Sequence, residues 1–355
     1  MGIDAIISRQ NAISEGNGIS LNLPPFGSYA ICNLRGGIGK TSLAFNLSYL
    51  TDDLLAVDTC PQGNLSFFYD NSYYQNVSTT VNDMLLPYFF MGLARASRVA
   101  QLISATNNHF ARKNSYLLPS SSELYTLPSQ MANAIAGANQ LPGAQRITVI
   151  DTLLYALKTE ILREQQETGT SKCLIDTSPF FSGCTHLAWH AVDALIVPVR
   201  TDKQSINSLS LLLKILSNPS SEFRRTMPSD MHTPKIQMIV LTGCGWTTRA
   251  GARNEPNQQT KVFLKEIYDI VSRNVAHFTT NNSDNHIVLS DDFLGSGRIS
   301  FALSKPIELM QPGDSTRIHR IKTDVNGSVD KIKHQLSFIG KNLWAVARKK
   351  HSNIS

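Results

Sequence analysis

A short glycine-rich segment, residues 33–42, combines the residue types that bind a phosphate group. Its sequence, NLRGGIGKTS, places a lysine and a threonine directly after a glycine. Glycines let backbone N–H groups approach an anion, the Lys40 ammonium would neutralise β- and γ-phosphates, and the Thr41 hydroxyl would bind Mg²⁺. The spacing matches G-x-x-x-x-G-K-[ST], except that Leu34 replaces the first glycine. The predicted nucleotide-binding residues are Gly36, Gly37, Ile38, Gly39, Lys40, Thr41 and Ser42.

The elements around this segment have the pattern needed to position a phosphate. An apolar run at 29–34 predicts a buried strand before the glycines, and a helix with Leu43, Leu47 and Leu50 on one face follows them. A second apolar run at 54–58 predicts the next strand. Strand, loop, helix and strand together predict a βαβ unit with parallel strands and a right-handed crossover.

The rest of the chain alternates between apolar runs and amphipathic stretches. Further buried strands are predicted at 172–178, 194–199 and 235–244. This alternation predicts an α/β fold with a mostly parallel, doubly wound central sheet and helices on both faces. Residues 1–27 are polar and rich in Gly and Pro, which predicts an extended lead-in. The less regular region 74–170 predicts a helix interrupted at Pro87 and one long helix with a stripe from Ile150 to Ile161.

Composition excludes several classes of protein. The five cysteines among 355 residues are scattered, which argues against a disulfide framework or a cysteine-ligated metal site and favours a cytoplasmic context. No run of about 18 apolar residues predicts a membrane span. From residue 201 onward, 21 Lys+Arg and 13 Asp+Glu give 21 − 13 = +8, against 12 − 14 = −2 for the first 200 residues. This asymmetry suggests a polyanionic partner, although excess lysine can also serve solubility alone.

Four segments resemble sequence motifs of one protein family, and they occur in the same order as in that family. RGGIGKTS resembles the deviant Walker A box, K-G-G-x-G-K-[ST], of the ParA/MinD family of dimeric ATPases, and 56–66 (AVDTCPQGNLS) resembles its D-x-D-P-Q-G-N segment. Residues 173–202 resemble the family's Walker B strand and the strand after it, and 298–307 resemble a C-terminal segment. The P-Q-G-N run favours the ParA branch. The resemblance implies a P-loop NTPase fold, ATP and Mg²⁺ as cofactors, and Thr41 and Asp176 as metal-binding residues.

Arg35 departs from the family pattern. In the family, the lysine at this position reaches the other subunit's phosphates in a nucleotide-sandwich dimer. Arginine is permanently charged and can bond two phosphate oxygens, although it is longer than lysine and planar. We therefore expect Arg35 to act across an ATP-dependent homodimer. The alternative is that it adds only local positive charge and that other residues form the dimer.

Cys60 is the second departure. It stands where the family has the aspartate associated with orienting the attacking water, and a neutral thiol is a poor substitute. Asp58 lies two residues earlier and would share a strand face with Cys60, which makes it the candidate substitute. Candidate catalytic residues are thus Arg35, Lys40, Asp58 and Asp176, with slow hydrolysis expected. The alternative is that Cys60 is a small buried residue without a special role.

The basic second half has a counterpart in the family, whose ParA-type dimers bind DNA non-specifically through C-terminal arginines and lysines. Such binding depends on phosphate contacts and weakens with salt. The resemblance also implies a partner adaptor of ParB type or another cargo adaptor. The candidate DNA-binding residues are Arg249, Arg253, Lys261, Arg298, Arg317, Arg320 and Lys322.

The last helical stretch has an apolar stripe formed by Ile332, Leu336, Ile339, Leu343 and Val346, followed by basic residues. MinD-like proteins end in a basic amphipathic membrane-binding helix, but the family's last domain helix also packs on the sheet with such a stripe. We expect core packing and no membrane contact.

These observations predict a 1–28 extension, a single ATPase domain at 29–345 and a basic tail at 346–355. The expected function is a cytoplasmic, nucleoid-associated ParA-like ATPase that partitions or positions a plasmid, a chromosome locus or a protein cargo. Two alternatives stay open: a MinD-like membrane-cycling positioning regulator, and a non-hydrolysing nucleotide-dependent scaffold.

Overall fold

A central eight-stranded sheet organises the protein. The computed structural model describes residues 2–76, 79–90, 92–181, 183–228, 233–247, 254–318 and 320–344. The strand order is β3-β4-β2-β5-β1-β6-β7-β8, and every pair is parallel except the antiparallel pair of β3 with β4. The strands are β1 Ser28–Ile31, β2 Leu54–Asp58, β3 Gln101–Leu102, β4 Ser115–Leu118, β5 Lys172–Asp176, β6 Ala194–Arg200, β7 Lys235–Thr242 and β8 Ile287–Leu289. The predicted mostly parallel sheet is confirmed.

Helices cover both faces of this sheet. Side chains of β1 point alternately to the two faces of the sheet: Ala30 packs into the core cluster on one face, and Tyr29 and Ile31 pack into the cluster on the other. A two-stranded hairpin, β9 Ser315–Ile318 and β10 Ile321–Asp324, stands apart from the sheet. The helices are α1 Ile3–Ser14, α2 Lys40–Tyr49, α3 Asn64–Tyr69, α4 Tyr73–Asn76, α5 Val81–Phe89, α6 Leu127–Ala138, α7 Gly143–Leu154, α8 Ala156–Thr168, α9 Gly183–Ala191, α10 Lys203–Ser217, α11 Glu222–Arg225, α12 Gln258–Arg273, α13 Leu294–Leu303 and α14 Val329–Lys341.

The amino-terminal segment is not the expected extended lead-in, because its first half forms helix α1. Ile6 and Ile13 are each 1% exposed and belong to opposite core clusters. The Arg9 guanidinium donates to the carbonyl oxygens of Asp284 and Ile287, at 2.8 and 2.6 Å. The Gly and Pro residues that suggested an extended conformation all follow this helix, apart from Gly2.

The middle region also differs from its prediction. The single helix expected around the Ile150–Ile161 stripe is two helices, α7 and α8, which meet at Tyr155. Helix α5 continues through Pro87 and ends two residues later. Three of the four stripe residues, Leu153, Leu157 and Ile161, are buried in the core, and Ile150 is half-buried against it.

Helix α14 packs in the core. Its stripe residues Ile332, Leu336 and Ile339 are buried, and so is Leu343 just beyond it. They share a core cluster with α2, as predicted for a domain helix. Val346 and the predicted basic tail lie outside the described residues. Of the helices that the structure describes, none combines the length and hydropathy needed to cross a bilayer.

Candidate active site

The glycine-rich segment forms a loop between β1 and α2. Gly37 and Gly39 have φ angles of 71° and 88°, in the left-handed region that favours glycine, and α2 begins at the next residue, Lys40. The start of a helix is an anion-binding position, because its first N–H groups and its dipole both favour negative charge. All seven predicted nucleotide-binding residues line one cavity of about 210 Å³, together with Cys60, Gln62, Asn64, Thr177 and Pro179.

Lys40 is folded back over this loop. Its side chain is buried, and Nζ donates a 2.8 Å hydrogen bond to the Arg35 carbonyl oxygen. Burial lowers the pKa of Lys40, and the nearby charge of Asp176 partly opposes that shift. An anion bound in the loop would supply the negative charge that this buried ammonium needs.

Thr41, on α2, and Asp176, at the carboxyl end of β5, are in contact. The Thr41 hydroxyl donates to Asp176 Oδ2 at 2.7 Å, and Asp176 Oδ1 is buried with no hydrogen-bond partner among the described residues. A threonine hydroxyl beside a carboxylate oxygen without a partner is the donor set that Mg²⁺ prefers when phosphates complete its coordination. These two residues therefore fit the predicted metal site.

Asp58 lies beside Asp176, since β2 and β5 pair these two residues in register. Its carboxylate accepts hydrogen bonds from the backbone N–H of Cys60 at 3.1 Å and from the N–H and hydroxyl of Ser66, both at 2.8 Å. Burial raises the pKa of Asp58, and burial and the Asp58 charge raise the pKa of Asp176. The contacts of Asp58 favour a role in holding the segment 59–66 in place.

Cys60 lines the phosphate-loop cavity, whereas Asp58 does not. Strand β2 ends at Asp58, so the strand alternation that would put residues 58 and 60 on one face does not extend to Cys60. Cys60 is 4% exposed, and burial followed by the charge of Asp58 raises its pKa to about 11. The side chain at this position of the cavity wall is therefore a neutral thiol at pH 7.

Arg35 is bound within its own subunit. Its guanidinium forms an ion pair with Asp202 and donates to the Ser205 hydroxyl at 2.8 Å. Asp202 also caps α10 by accepting a hydrogen bond from the Ser205 N–H. Burial alone would raise the pKa of Asp202, but hydrogen bonds from Ser205 and Arg35 bring it below its usual value. The action of Arg35 across a dimer stays a prediction.

A larger cavity of about 710 Å³ adjoins the loop, and apart from Arg298 the residues described here were missed by the sequence prediction. Its wall contains Asp291 and Asp292 just after β8, Phe293, and Arg298 on α13. Asp291 accepts a hydrogen bond from the Gln335 amide, and Asp292 pairs with Arg200 at 2.9 Å. Their position at the carboxyl end of a parallel strand, where ligands bind in such sheets, was the available signal.

The candidate DNA-binding residues fall into separate groups. Arg249 and Arg253 lie outside the described residues. Lys261 lies on α12, where it pairs with Glu255 at 3.5 Å. The other four lie on α13 and the hairpin: Arg298 and Arg317 line a third cavity, Arg320 is in the hairpin turn, and Lys322 is opposite Arg317 in the register.

Comparisons with known proteins agree with the fold. The sporulation initiation inhibitor protein Soj of Bacillus subtilis is 23% identical over 283 residues, covering 78% of this chain and 96% of Soj. An ATP complex of a McdA variant from Cyanothece is 15% identical, with a TM-score of 0.57 over 90% of this chain and 98% of that one. A putative plasmid partition protein from Borrelia burgdorferi bound to AMPPNP is 14% identical, with a TM-score of 0.51 over 90% of this chain and 100% of that one.

A protein-family model described as an AAA domain matches residues 28–228, which include the phosphate loop, Asp58, Cys60, Asp176 and Asp202. The matched segment is more than half of the chain. This chain therefore belongs to that AAA-domain family of ParA/MinD-type P-loop ATPases.

Proposed function

We propose that this protein is a ParA-like ATPase whose ATP-bound form is a homodimer that binds DNA non-specifically and positions a plasmid, a chromosome locus or a protein cargo. ATP and Mg²⁺ bind at the phosphate loop, where the metal neutralises phosphate charge. Binding of two nucleotides between two copies adds contacts that exist only in the dimer, so ATP shifts the monomer–dimer equilibrium.

The observation that carries this proposal is the pairing of Thr41 with Asp176. The hydroxyl and the carboxylate lie 2.7 Å apart at the mouth of a glycine loop, and Asp176 Oδ1 has no partner among the described residues. A buried acceptor left unpaired is unfavourable unless a ligand satisfies it. Mg²⁺ bound to a nucleotide phosphate fulfils that requirement, and Lys40 adds a buried ammonium on the same loop.

The contacts of Arg35 suggest how dimerisation is controlled. The guanidinium is held by Asp202 and Ser205, and its side chain is 30% exposed, so it is already near the surface. Ion pairs near the surface typically contribute about 1 kcal/mol or less. Exchange of this pair for phosphate oxygens of a nucleotide bound by a second copy is therefore energetically accessible.

Hydrolysis is proposed to be slow because of Cys60. This neutral thiol lines the cavity at the position where the family has a carboxylate. Asp58 is not an effective substitute in this proposal, since its carboxylate holds Cys60 and Ser66 through three hydrogen bonds. Asp58 instead positions the segment 59–66 that brings Cys60 to the cavity.

DNA binding and adaptor-driven cargo movement are also part of the proposal. They are supported by the +8 balance of 21 Lys+Arg and 13 Asp+Glu from residue 201 onward, and by the resemblance of the chain to ParA-type proteins. Binding through phosphates should fall steeply with added salt and be independent of sequence.

Size-exclusion chromatography with light scattering tests the dimer. We expect a monomer with ADP and a dimer with ATP and Mg²⁺. Arg35→Ala should bind ATP yet remain monomeric, and the matched Arg35→Lys variant should dimerise, because lysine is the family's residue at this position. Dimerisation of the Arg35→Ala variant at wild-type ATP and protein concentrations would contradict the proposal.

A non-hydrolysing nucleotide-dependent scaffold is the second candidate, and Cys60 is the observation that favours it. Both candidates dimerise with ATP, so turnover separates them. A dimer that releases phosphate when adaptor and DNA are added is an ATPase switch. A dimer that retains intact ATP under those conditions is a scaffold.

A further inference from the structure

A cavity of about 600 Å³ lies between α3, α13 and the β9–β10 hairpin, outside the phosphate loop. We call it the hairpin pocket. Its apolar lining includes Phe67, Phe301, Leu303, Ile318 and Ile321. Three of these side chains are conspicuously accessible, since Phe301 is 40%, Leu303 45% and Ile321 70% exposed. Apolar side chains that cluster at an open cavity offer a surface that a partner could bury.

Positive charge surrounds this apolar lining. Arg298 and Arg317 are lining residues, and Arg320 lies in the hairpin turn next to Ile321. In the described ranges, the ion pairs of this surface are Lys305–Asp314 and Lys322–Asp324, and no carboxylate pairs with the three arginines. The guanidinium groups are therefore available for an acidic partner.

The combination of these two features selects among possible occupants. DNA would use the arginines but leave the apolar lining in water, because phosphates offer no apolar surface. A purely apolar segment would bury the lining but leave three cations without a counter-ion. A peptide that alternates apolar side chains with carboxylates and lies along the hairpin uses both, because Arg317 and Ile318 are neighbours on β9 and their side chains also point in opposite directions.

We propose that the hairpin pocket docks a partner protein through a short extended segment that alternates Leu, Ile, Phe or Met with Asp or Glu. This inference does not depend on the proposed ATPase cycle. It assigns Arg298, Arg317 and Arg320 to a protein partner, whereas the sequence grouped them with the DNA-binding candidates. Arginine can form paired hydrogen bonds with a carboxylate, which suits this geometry.

The test begins with a phage-displayed library of random 12-residue peptides selected against the full-length protein. We expect enrichment of sequences with acidic residues between apolar ones. The affinity of the most enriched peptide, fluorescein-labelled, is then measured by fluorescence polarisation for the wild type and for two variants. Ile321→Glu places a negative charge at the exposed apolar side chain, and Arg317→Glu reverses a lining charge. Each is expected to weaken binding at least tenfold.

Matched variants elsewhere on the surface serve as controls. Val262→Glu changes a side chain that is 65% exposed on α12, and Lys214→Glu reverses an exposed charge on α10. Both should change the affinity by less than twofold. Because Ile321 and Arg317 are exposed, their substitution should leave the melting temperature unchanged.

Three outcomes would overturn the proposal. The first is a selection that enriches basic peptides, enriches none, or enriches peptides that bind Ile321→Glu as tightly as the wild type. The second is loss of duplex DNA binding in Arg317→Glu with peptide binding intact, which would make the pocket a nucleic-acid surface. The third is loss of ATP-dependent dimerisation in Ile321→Glu, which would make it a contact between two copies of this chain.

Discussion

Replacement of Cys60 by aspartate should accelerate ATP hydrolysis. The pKa of Cys60 is about 11, so at pH 7.5 the thiolate fraction is about 10 to the power (7.5 − 11), or about 3 in 10,000. The wild-type side chain is thus almost never a proton acceptor. A well-placed general base typically contributes about 10²- to 10⁴-fold to a rate.

The expected gain is smaller than that full range. Burial is the main cause of the raised pKa of Cys60, and the neighbouring charges of Asp58 and Asp176 add to it. The same surroundings would raise the pKa of an introduced carboxyl group and reduce its ionised fraction. We therefore expect Cys60→Asp to raise kcat about 10- to 100-fold.

The assay is phosphate release at saturating ATP and Mg²⁺, with a fluorescent ATP analogue to confirm binding. Cys60→Ser and Cys60→Ala are the controls, because both are neutral, and each should stay within twofold of the wild type. The reasoning is refuted if Cys60→Asp binds ATP normally but hydrolyses it no faster. It is also refuted if Cys60→Ser accelerates hydrolysis as much as Cys60→Asp.

Three further predictions concern the site and its supports. Asp202→Asn keeps the α10 cap but weakens the ion pair with Arg35. The dissociation constant of the ATP-bound dimer, measured by light scattering, should therefore fall about two- to fivefold. An unchanged dissociation constant would show that this ion pair does not restrain the monomer. Burial raises the pKa of Asp58 and Asp176, so between about pH 4 and pH 7 the folded state binds more protons than the unfolded state. The stability of the ligand-free protein should therefore fall as the pH rises through this range. Asp176→Asn should flatten this dependence in thermal melts with EDTA, and an unchanged slope would contradict the shift. Arg9→Ala should lower the free energy of unfolding, measured by urea denaturation, by about 1–3 kcal/mol, because two carbonyl oxygens lose a charged donor. Arg9→Lys should have an intermediate effect. An unchanged denaturation midpoint in Arg9→Ala would show that α1 does not depend on this contact.

The phosphate loop and the strands around it could be predicted because their signals are local. The apolar run of β1, the glycines and the Lys40–Thr41 pair are contiguous in the sequence, and the strand-end position of Asp176 follows from one apolar run. The mostly parallel direction of the strands follows from the alternation of strands and helices along the chain.

Other features depend on contacts between distant residues and had no local signal. Helix α1 is stabilised by its contacts with α12, α14 and β8 rather than by a strong pattern of its own. The role of Asp58 could not be predicted because Ser66 reaches it only through the turn at Gly63, where φ is 62°. The hairpin packs against α13, and Gln335 on α14 holds Asp291 beside the larger cavity.

Helix α14, the last helix of the described chain, packs against α2, the helix that starts at the phosphate loop, and α1 packs against α14. The segment that matches the family model, residues 28–228, lacks α1, α14, β7 and β8. Cut out on its own, that segment would expose the edge of β6 that pairs with β7 and the surface of α2 that α14 covers. Nucleotide binding at the loop is therefore expected to slow amide hydrogen exchange in α14 and, through it, in α1, although both helices are far from the phosphates in sequence.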